Sequence, residues 1–437
     1  MLPFLYGFAI FFQPGIFFPA LAPFKPIFSL TLLCIIAAMA FKPGYPRASA
    51  FQQTAFVLLC CFLAIQVVSV YPMGLSYMTT EFLYWYQYPA VMVAAILLMS
   101  NLENICKFVW GVVMGGSFIV GFGIYAVIME LPNAHGGKAG AYGMYENHND
   151  YTFMILLILP FIYALWRYGR GMLRHALLIT LLIMCVVGVL LSLSRGGMLV
   201  LVVQAGLIIM LTVSKQKRMP LIIALALVGA AGISYQWAKR AEVQTIYTLE
   251  DSKASRFELW TAGANMLKAN PVLGVGARRF ALDARDYGTI SSDNLGKNAH
   301  NTYVQILATS GALGFFAFIG FLYYHIRGLG WTSLAAIHHR ADALRVATLI
   351  SLISISLRAF LDSKPHDWSF YILCAIGVAL LALRGEQRRI LQPRISRRPS
   401  ARKRATDPIP AAASGGKVKI PRRPSRKAVQ LPDVGPK

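Results

Sequence analysis

Twelve stretches of this chain are apolar, and most are long enough to lie across about 30 Å of hydrocarbon. They run at about 4–22, 27–41, 52–71, 82–100, 105–130, 149–166, 176–193, 198–214, 220–238, 302–326, 346–361 and 368–384. A bilayer interior offers no water to an unpaired backbone amide, so such segments must form helices that close their own hydrogen bonds. The expected fold class is all-α, a polytopic membrane protein of about twelve transmembrane helices. Composition agrees, with 57% of the 437 residues apolar and 14% charged and a mean hydropathy of +0.56. A soluble domain carries about a quarter of its residues charged. A cytosolic enzyme and a free nucleic-acid-binding domain are therefore excluded, and no nucleic-acid partner is expected.

Pro14, Pro23 and Pro26 interrupt the first two stretches, and each removes a helical donor. The first stretch has no basic leader and no small-residue cleavage site, so it is read as retained. Cys34, Cys60, Cys61, Cys106, Cys185 and Cys374 fall in or beside apolar runs. There a thiol behaves as a small hydrophobe, and no disulfide framework is implied.

An even number of spans puts both termini on one side, and Lys/Arg counts assign that side to the cytoplasm. One set of loops carries Lys42, Arg47, Lys107, Arg167, Arg170, Arg174, Lys215, Lys217, Arg218, Arg327, Arg340 and Arg345. The opposite loops, apart from the largest, carry Lys138, Arg195 and Lys364. The largest loop, 239–301 between spans 9 and 10, lies on the outer side with 9 Lys/Arg and 7 Asp/Glu. Within it Ser255, Arg256, Phe257 and Glu258 read as a capping box. Apolar Phe257, Trp260, Ala264 and Leu267 follow at helical spacing up to Asn270-Pro271, which suggests an amphipathic helix lying on the membrane surface. From Arg384 onward 16 Lys/Arg stand against 3 Asp/Glu with almost no large apolar side chain. Residues 1–384 are thus read as the transmembrane domain. Residues 385–437 are read as a disordered basic cytoplasmic tail attracted to anionic lipid.

The unusual polar residues gather at three outer helix starts: Tyr145 to Asp150, Ser192 to Gly197 and Asn298 to Tyr303. A helix N-terminus presents unpaired N–H groups and about half a positive charge, which favours an anion such as phosphate. Arg195, with loop residues Arg256, Arg278 and Arg279, would add cationic donors for a membrane-borne diphosphate. Ser194, Asn298 and Asn301 also serve as ordinary N-caps, and Gly196-Gly197 as a tight entry to a helix. Arg195 is harder to dismiss, because a charge wedged between two apolar spans costs several kcal/mol unless partnered or functional. His300 could be a passive interfacial residue, but nearby arginines and a helix N-terminus disfavour imidazolium and leave a neutral base. His148 and Asp150 resemble it in a shorter loop. Arg358 and Asp362, four residues apart, read as an interfacial ion pair.

The run Ser255-Arg256-Phe257-Glu258-Leu259-Trp260, then Asn270-Pro271-Val272-Leu273-Gly274-Val275-Gly276, then His300-Asn301-Thr302-Tyr303-Val304-Gln305 and Gly311-Ala312-Leu313-Gly314, resembles the O-antigen ligase and polymerase superfamily. Ser194-Arg195-Gly196-Gly197 fits the same pattern, which covers about 130 residues from Ser192 to Phe321. The resemblance implies inverting, metal-independent membrane glycosyltransferases with no cofactor. They move a glycan from undecaprenyl diphosphate to lipid A core or another glycan acceptor, with the large loop periplasmic and the protein in the bacterial inner membrane. By motif, Arg195 and Arg256 would bind the diphosphate and His300 would be catalytic, with Arg278 and Arg279 assisting. Asn301, Tyr303, Asn149 and Asp150 complete the expected substrate-binding set. Arg285 with Gly296 also fits an arginine-to-glycine spacing found in polymerases.

Local chemistry points the same way. Charge on a departing diphosphate needs a divalent metal or fixed cationic donors, and the dispersed acids of the large loop suit a metal poorly. A secondary transporter is the non-enzyme alternative, but transporters carry charges or broken helices near the midplane. A metal-dependent glycosyltransferase of another superfamily would need an acidic motif that this chain lacks.

Overall fold

In the computed structural model the described residues are 1–41, 50–131, 137–246, 252–330, 339–363 and 368–391. Lys42, Arg47, Lys364 and the basic tail from 392 lie outside them. Among the described residues all regular structure is helical.

The prolines act as the sequence suggests. Helix α1 (Leu2–Phe12) stops where Gln13 turns left-handed ahead of Pro14, α2 (Pro14–Phe17) is one short turn, and α3 (Pro26–Phe41) opens on Pro26. The stretch 4–22 is therefore not one continuous helix. After α4 (Ala50–Val68), the stretch expected at 82–100 is divided into α5 (Leu75–Trp85) and α6 (Gln87–Leu98). Pro89, in the first turn of α6, has no N–H to offer the turn before it. Then come α7 (Leu102–Ile128), α8 (His148–Arg167), α9 (Met172–Leu191), α10 (Arg195–Thr212) and α11 (Lys215–Ile246). In the large loop lie α12 (Ser252–Ala269) and α13 (Phe280–Asp283), followed by α14 (Thr302–Leu329), α15 (Arg340–Arg358) and α16 (Trp368–Leu391). Eight described helices are long and apolar enough to cross a membrane: α4, α7 to α11, α14 and α15. Hydropathy alone suggests twelve. Proline breaks shorten α1, α3 and the α5–α6 pair, and the apolar part of α16 runs only from Trp368 to Leu383.

At the centre stands α8, buried without interruption from Tyr151 to Ile162. A helix apolar on every side belongs in an interior. Pro160 cannot donate to the Leu156 carbonyl one turn back, and Gln204 Nε2 of α10 donates to it instead at 2.6 Å. Ser351 Oγ of α15 donates to the Leu157 carbonyl at 2.8 Å. A helix weakened by its own proline is thus tied to both neighbours.

The large loop has a small core of its own, in which Leu259, Ala262 and Met266 of α12 meet Phe280, Ala299 and Ala308. The face of α12 buried in this core differs from the apolar face read in the sequence, since Phe257 is 68% exposed and Ala264 is also exposed. The helix also begins at Ser252 rather than at the expected cap. Glu258 accepts from Ser291 N at 3.1 Å and Asn294 Nδ2 at 2.8 Å, pinning the 291–294 turn to α12.

The Asn270–Gly276 strip has a physical role. Helix α14 breaks at Gly311, whose φ of 62° is left-handed. The break frees backbone groups, and the strip pairs with them. Val275 N donates to Ala308 O at 2.9 Å and Gly276 N to Thr309 O at 3.1 Å. In return Ala312 N donates to Pro271 O at 2.9 Å and Leu313 N to Val272 O at 3.3 Å. Side chains at Gly274 and Gly311 would run into this backbone contact. The two glycine-rich motifs are the two sides of one joint.

Candidate active site

Three helix N-termini meet at one end of the bundle. Asn147 caps α8, Ser194 caps α10 and Asn301 caps α14, each side chain accepting from a first-turn amide. The ends of α8 and α10 are joined, since the α10 cap Ser194 Oγ donates to Asn149 Oδ1 in the first turn of α8 at 2.9 Å. Close approach explains the glycine pair. A Cβ at position 197 would lie 2.8 Å from the Thr152 Cβ, and one at 196 would lie 2.7 Å from Leu361 Cδ1.

Arg195, first residue of α10, places its guanidinium 5.9 Å from the Trp237 ring of α11. Arg256, in the first turns of α12, is half-buried and electrostatically coupled to Arg195 and Asp362. Burial lowers its pKa, Asp362 opposes this, and Arg195 adds to it. These are two cations held close in a partly dry place.

His300 sits at a left-handed φ of 49°, a conformation non-glycine residues rarely keep without support. The support surrounds it. Trp260 Nε1 of α12 donates to the Ala299 carbonyl at 2.8 Å, and Asn301 N donates to Ser363 Oγ at 3.1 Å. Thr302 Oγ1 donates to the Asp362 carbonyl at 2.7 Å. Burial, first, holds the imidazole below its usual 6.5. Asp362 opposes it, while Arg256, Lys297 and Arg358 reinforce it. The result is a neutral base beside several cations.

Sequence reading missed two residues at this site. The ion pair expected between Arg358 and Asp362 forms, but it lies in the interior of the protein, with Arg358 1% exposed and Asp362 7% exposed. Their closest atoms, Arg358 Nη2 and Asp362 Oδ2, are 3.6 Å apart, too far for a hydrogen bond. Among the described residues Nε, Nη1 and Nη2 of Arg358 make no hydrogen bond. Its electrostatic neighbours are Asp362, Asp150 and Arg256, which places it on the floor of the Arg256 and His300 cluster. The cost argument applied to Arg195, a charge inside an apolar stretch, would have found Arg358 too.

The other expected site residues divide. Asp150 joins the cluster as a neighbour of Arg358. Asn149 is tied to Ser194, and Asn301 to the amides of Tyr303 and Val304. Tyr303 donates to the Ser356 carbonyl at 2.8 Å and packs against Phe360 with ring centroids 4.3 Å apart. Arg278 is engaged elsewhere: its Nε donates to buried Glu81 at 2.9 Å, and its guanidinium lies 4.3 Å over the Tyr84 ring. Arg279 grips Asp283 at 2.9 and 2.5 Å. Arg285 is exposed beside Asp286 at 3.7 Å. His148 begins α8. Among the described residues no three His, Cys, Asp or Glu side chains are grouped for a metal ion.

A search of curated proteins gives no match. Residues 179–319, about a third of the chain, match the model of the O-antigen ligase family. The matched stretch holds α10, α12, the joint at Gly311 and the His300 turn. Over this stretch the chain is similar to the O-antigen ligase family, whose members are glycan-transferring membrane enzymes.

Proposed function

We propose that the protein transfers a glycan from undecaprenyl diphosphate to lipid A core at the periplasmic face of the bacterial inner membrane, as a metal-independent, inverting glycosyltransferase. The carrying observation is the grouping of Arg256 and Arg358 around His300, with Arg195 beside Arg256, where helix N-termini meet. In this reading the acceptor hydroxyl oxygen attacks the anomeric carbon as its proton passes to His300. The bond from that carbon to the diphosphate oxygen breaks, and the electron pair leaves with the lipid diphosphate. The arginines stabilise the charge that grows on the leaving oxygens, where preorganised donors act most strongly. Asp150 and Asp362 keep the cationic floor in place, and Asn149, Asn301 and Tyr303 hold the helix ends that frame it. Arg278 and Arg279, with carboxylate partners of their own, fix the loop. The proposed topology has twelve crossings and both termini cytoplasmic. Residues 239–301 are periplasmic, and the 385–437 tail lies at the anionic cytoplasmic surface.

Purified protein given the lipid-linked donor, with and without lipid A core, tests this. Core-dependent product that persists in EDTA is expected. A ladder of lengthened lipid-linked glycan formed without core would make the enzyme a polymerase. Product formed on a protein hydroxyl would make it a protein O-oligosaccharyltransferase. Absence of transfer to any acceptor would remove the enzymatic reading.

A further inference from the structure

The end of the bundle opposite His300 holds a cavity of about 610 Å³ that the proposed reaction does not use. It is walled by the C-terminal turns of α8 and α10, the first turns of α15 and the start of α11. Its lining is graded along the helix axes. Arg167, Lys215 and Arg218 line the outer end; Ile208 lies four residues inside Thr212 on α10, and Pro160 and Ile350 lie seven residues inside Arg167 on α8 and Ala343 on α15. At 1.5 Å per residue the longer step is a depth of about 10 Å, the step from a headgroup layer into hydrocarbon.

The rim is built rather than incidental. Arg218 Nε donates to the Val213 carbonyl at 2.9 Å, which fixes that guanidinium at the mouth. Tyr163 Oη donates to Thr212 Oγ1 at 2.9 Å and closes the side between α8 and α10. No acid is among the lining residues. Asp342 is electrostatically coupled to Tyr168 at the mouth and is itself 3.8 Å from Arg345. The inner wall, with Ala343, Val346 and Ala347 of α15, is buried and apolar. Three cations above a dry slot of drug-sized volume call for a ligand that is anionic at one end and aliphatic at the other.

We infer that this cavity binds one anionic phospholipid, its phosphate on Arg167, Lys215 and Arg218 and the upper part of one acyl chain against Ile208 and Ile350. The leaflet concerned, the cytoplasmic one, rests on the topology proposed above, whereas the site does not depend on that topology or on glycan transfer.

Binding to the delipidated full-length protein in detergent, followed by native mass spectrometry, separates the possibilities. The probes are phosphatidylglycerol, phosphatidylcholine with the same chains, and inorganic phosphate. One saturable phosphatidylglycerol site is expected, with phosphatidylcholine at least about tenfold weaker and no displacement by equimolar inorganic phosphate. The triple variant Arg167→Gln, Lys215→Gln, Arg218→Gln should weaken phosphatidylglycerol about a hundredfold, at roughly fivefold per cation. Lys217→Gln, on the same turn but outside the cavity, should leave it within about twofold. Equal affinity for both lipids, an unchanged triple variant, or displacement by inorganic phosphate would each overturn the assignment. A negative result here leaves the transfer assay untouched, and the reverse holds as well.

Discussion

At Arg358 a guanidinium that is 1% exposed leaves three nitrogens without hydrogen bonds among the described residues, with Asp362, Asp150 and Arg256 as its electrostatic neighbours. If the pair were only structural, replacing both partners by neutral groups would be tolerated, as buried ion pairs often are. Arg358→Met alone should destabilise the protein by about 3–5 kcal/mol, because it removes one charge of a buried pair. The double variant Arg358→Met, Asp362→Asn should recover most of the thermal stability yet still lack glycan transfer. Full activity in the double variant would reduce the pair to scaffolding. Arg195→Ala and Arg256→Ala should each lower turnover about 10²- to 10³-fold at matched membrane levels. Lysine at either position should also impair it, since a point charge does not reproduce forked donation. His300 offers a pH test. Its pKa is held below 6.5, so the proton-accepting form persists under mildly acidic conditions, and the rate should fall only as pH drops through that lowered value. Asp362 raises this pKa and Arg256 lowers it. The acid limb of the residual activity should therefore move to lower pH in Asp362→Asn and to higher pH in Arg256→Gln. Limbs that stay in place would remove His300 as the base.

Among the elements, the joint between the Asn270–Gly276 strip and the broken helix α14 sets the position of everything around it. Four backbone hydrogen bonds cross it, and Ala277 N adds one to Ser69 Oγ of the 50–73 region at 3.0 Å. Gly311→Ala must accept a left-handed φ of 62° and a Cβ pressed into the Val272 backbone. A loss of about 1–3 kcal/mol is expected. It should be read as a lower melting temperature in detergent together with weaker transfer, although position 311 touches no reacting group. Gly296→Ala, where the surroundings are open, carries only its own left-handed strain and should cost less. Equal losses at the two positions would mean the joint is not the organising contact.

For the whole molecule, the grouping of charges by end of the bundle has a direct readout. Arg195, Arg256, Arg358 and His300 collect at one end, while Arg167, Lys215 and Arg218 surround the cavity at the other. Reporter fusions at about position 280 and at position 216 should therefore disagree in sidedness, with 216 cytoplasmic. The same side for both would undo the proposed orientation and the leaflet given to the phospholipid.

Much of this was legible in the residues themselves. Apolar length dictated helices because a bilayer tolerates nothing with open backbone groups. The prolines at 14 and 26 marked breaks, because a missing N–H acts on its own helix. Ser194 and Asn301 announced helix starts for the same local reason. Partnership was not legible. Nothing near Arg278 in sequence foretells its bond to Glu81, 197 residues earlier. Nothing local rotates α12 so that Leu259 rather than Phe257 turns inward. Arg358 reads as half of an interfacial ion pair until the fold buries it to 1% exposure. Helices and caps follow from interactions within a few residues, whereas burial, charge pairing and the protonation of His300 depend on which segments meet. Those meetings are settled by packing across the whole chain.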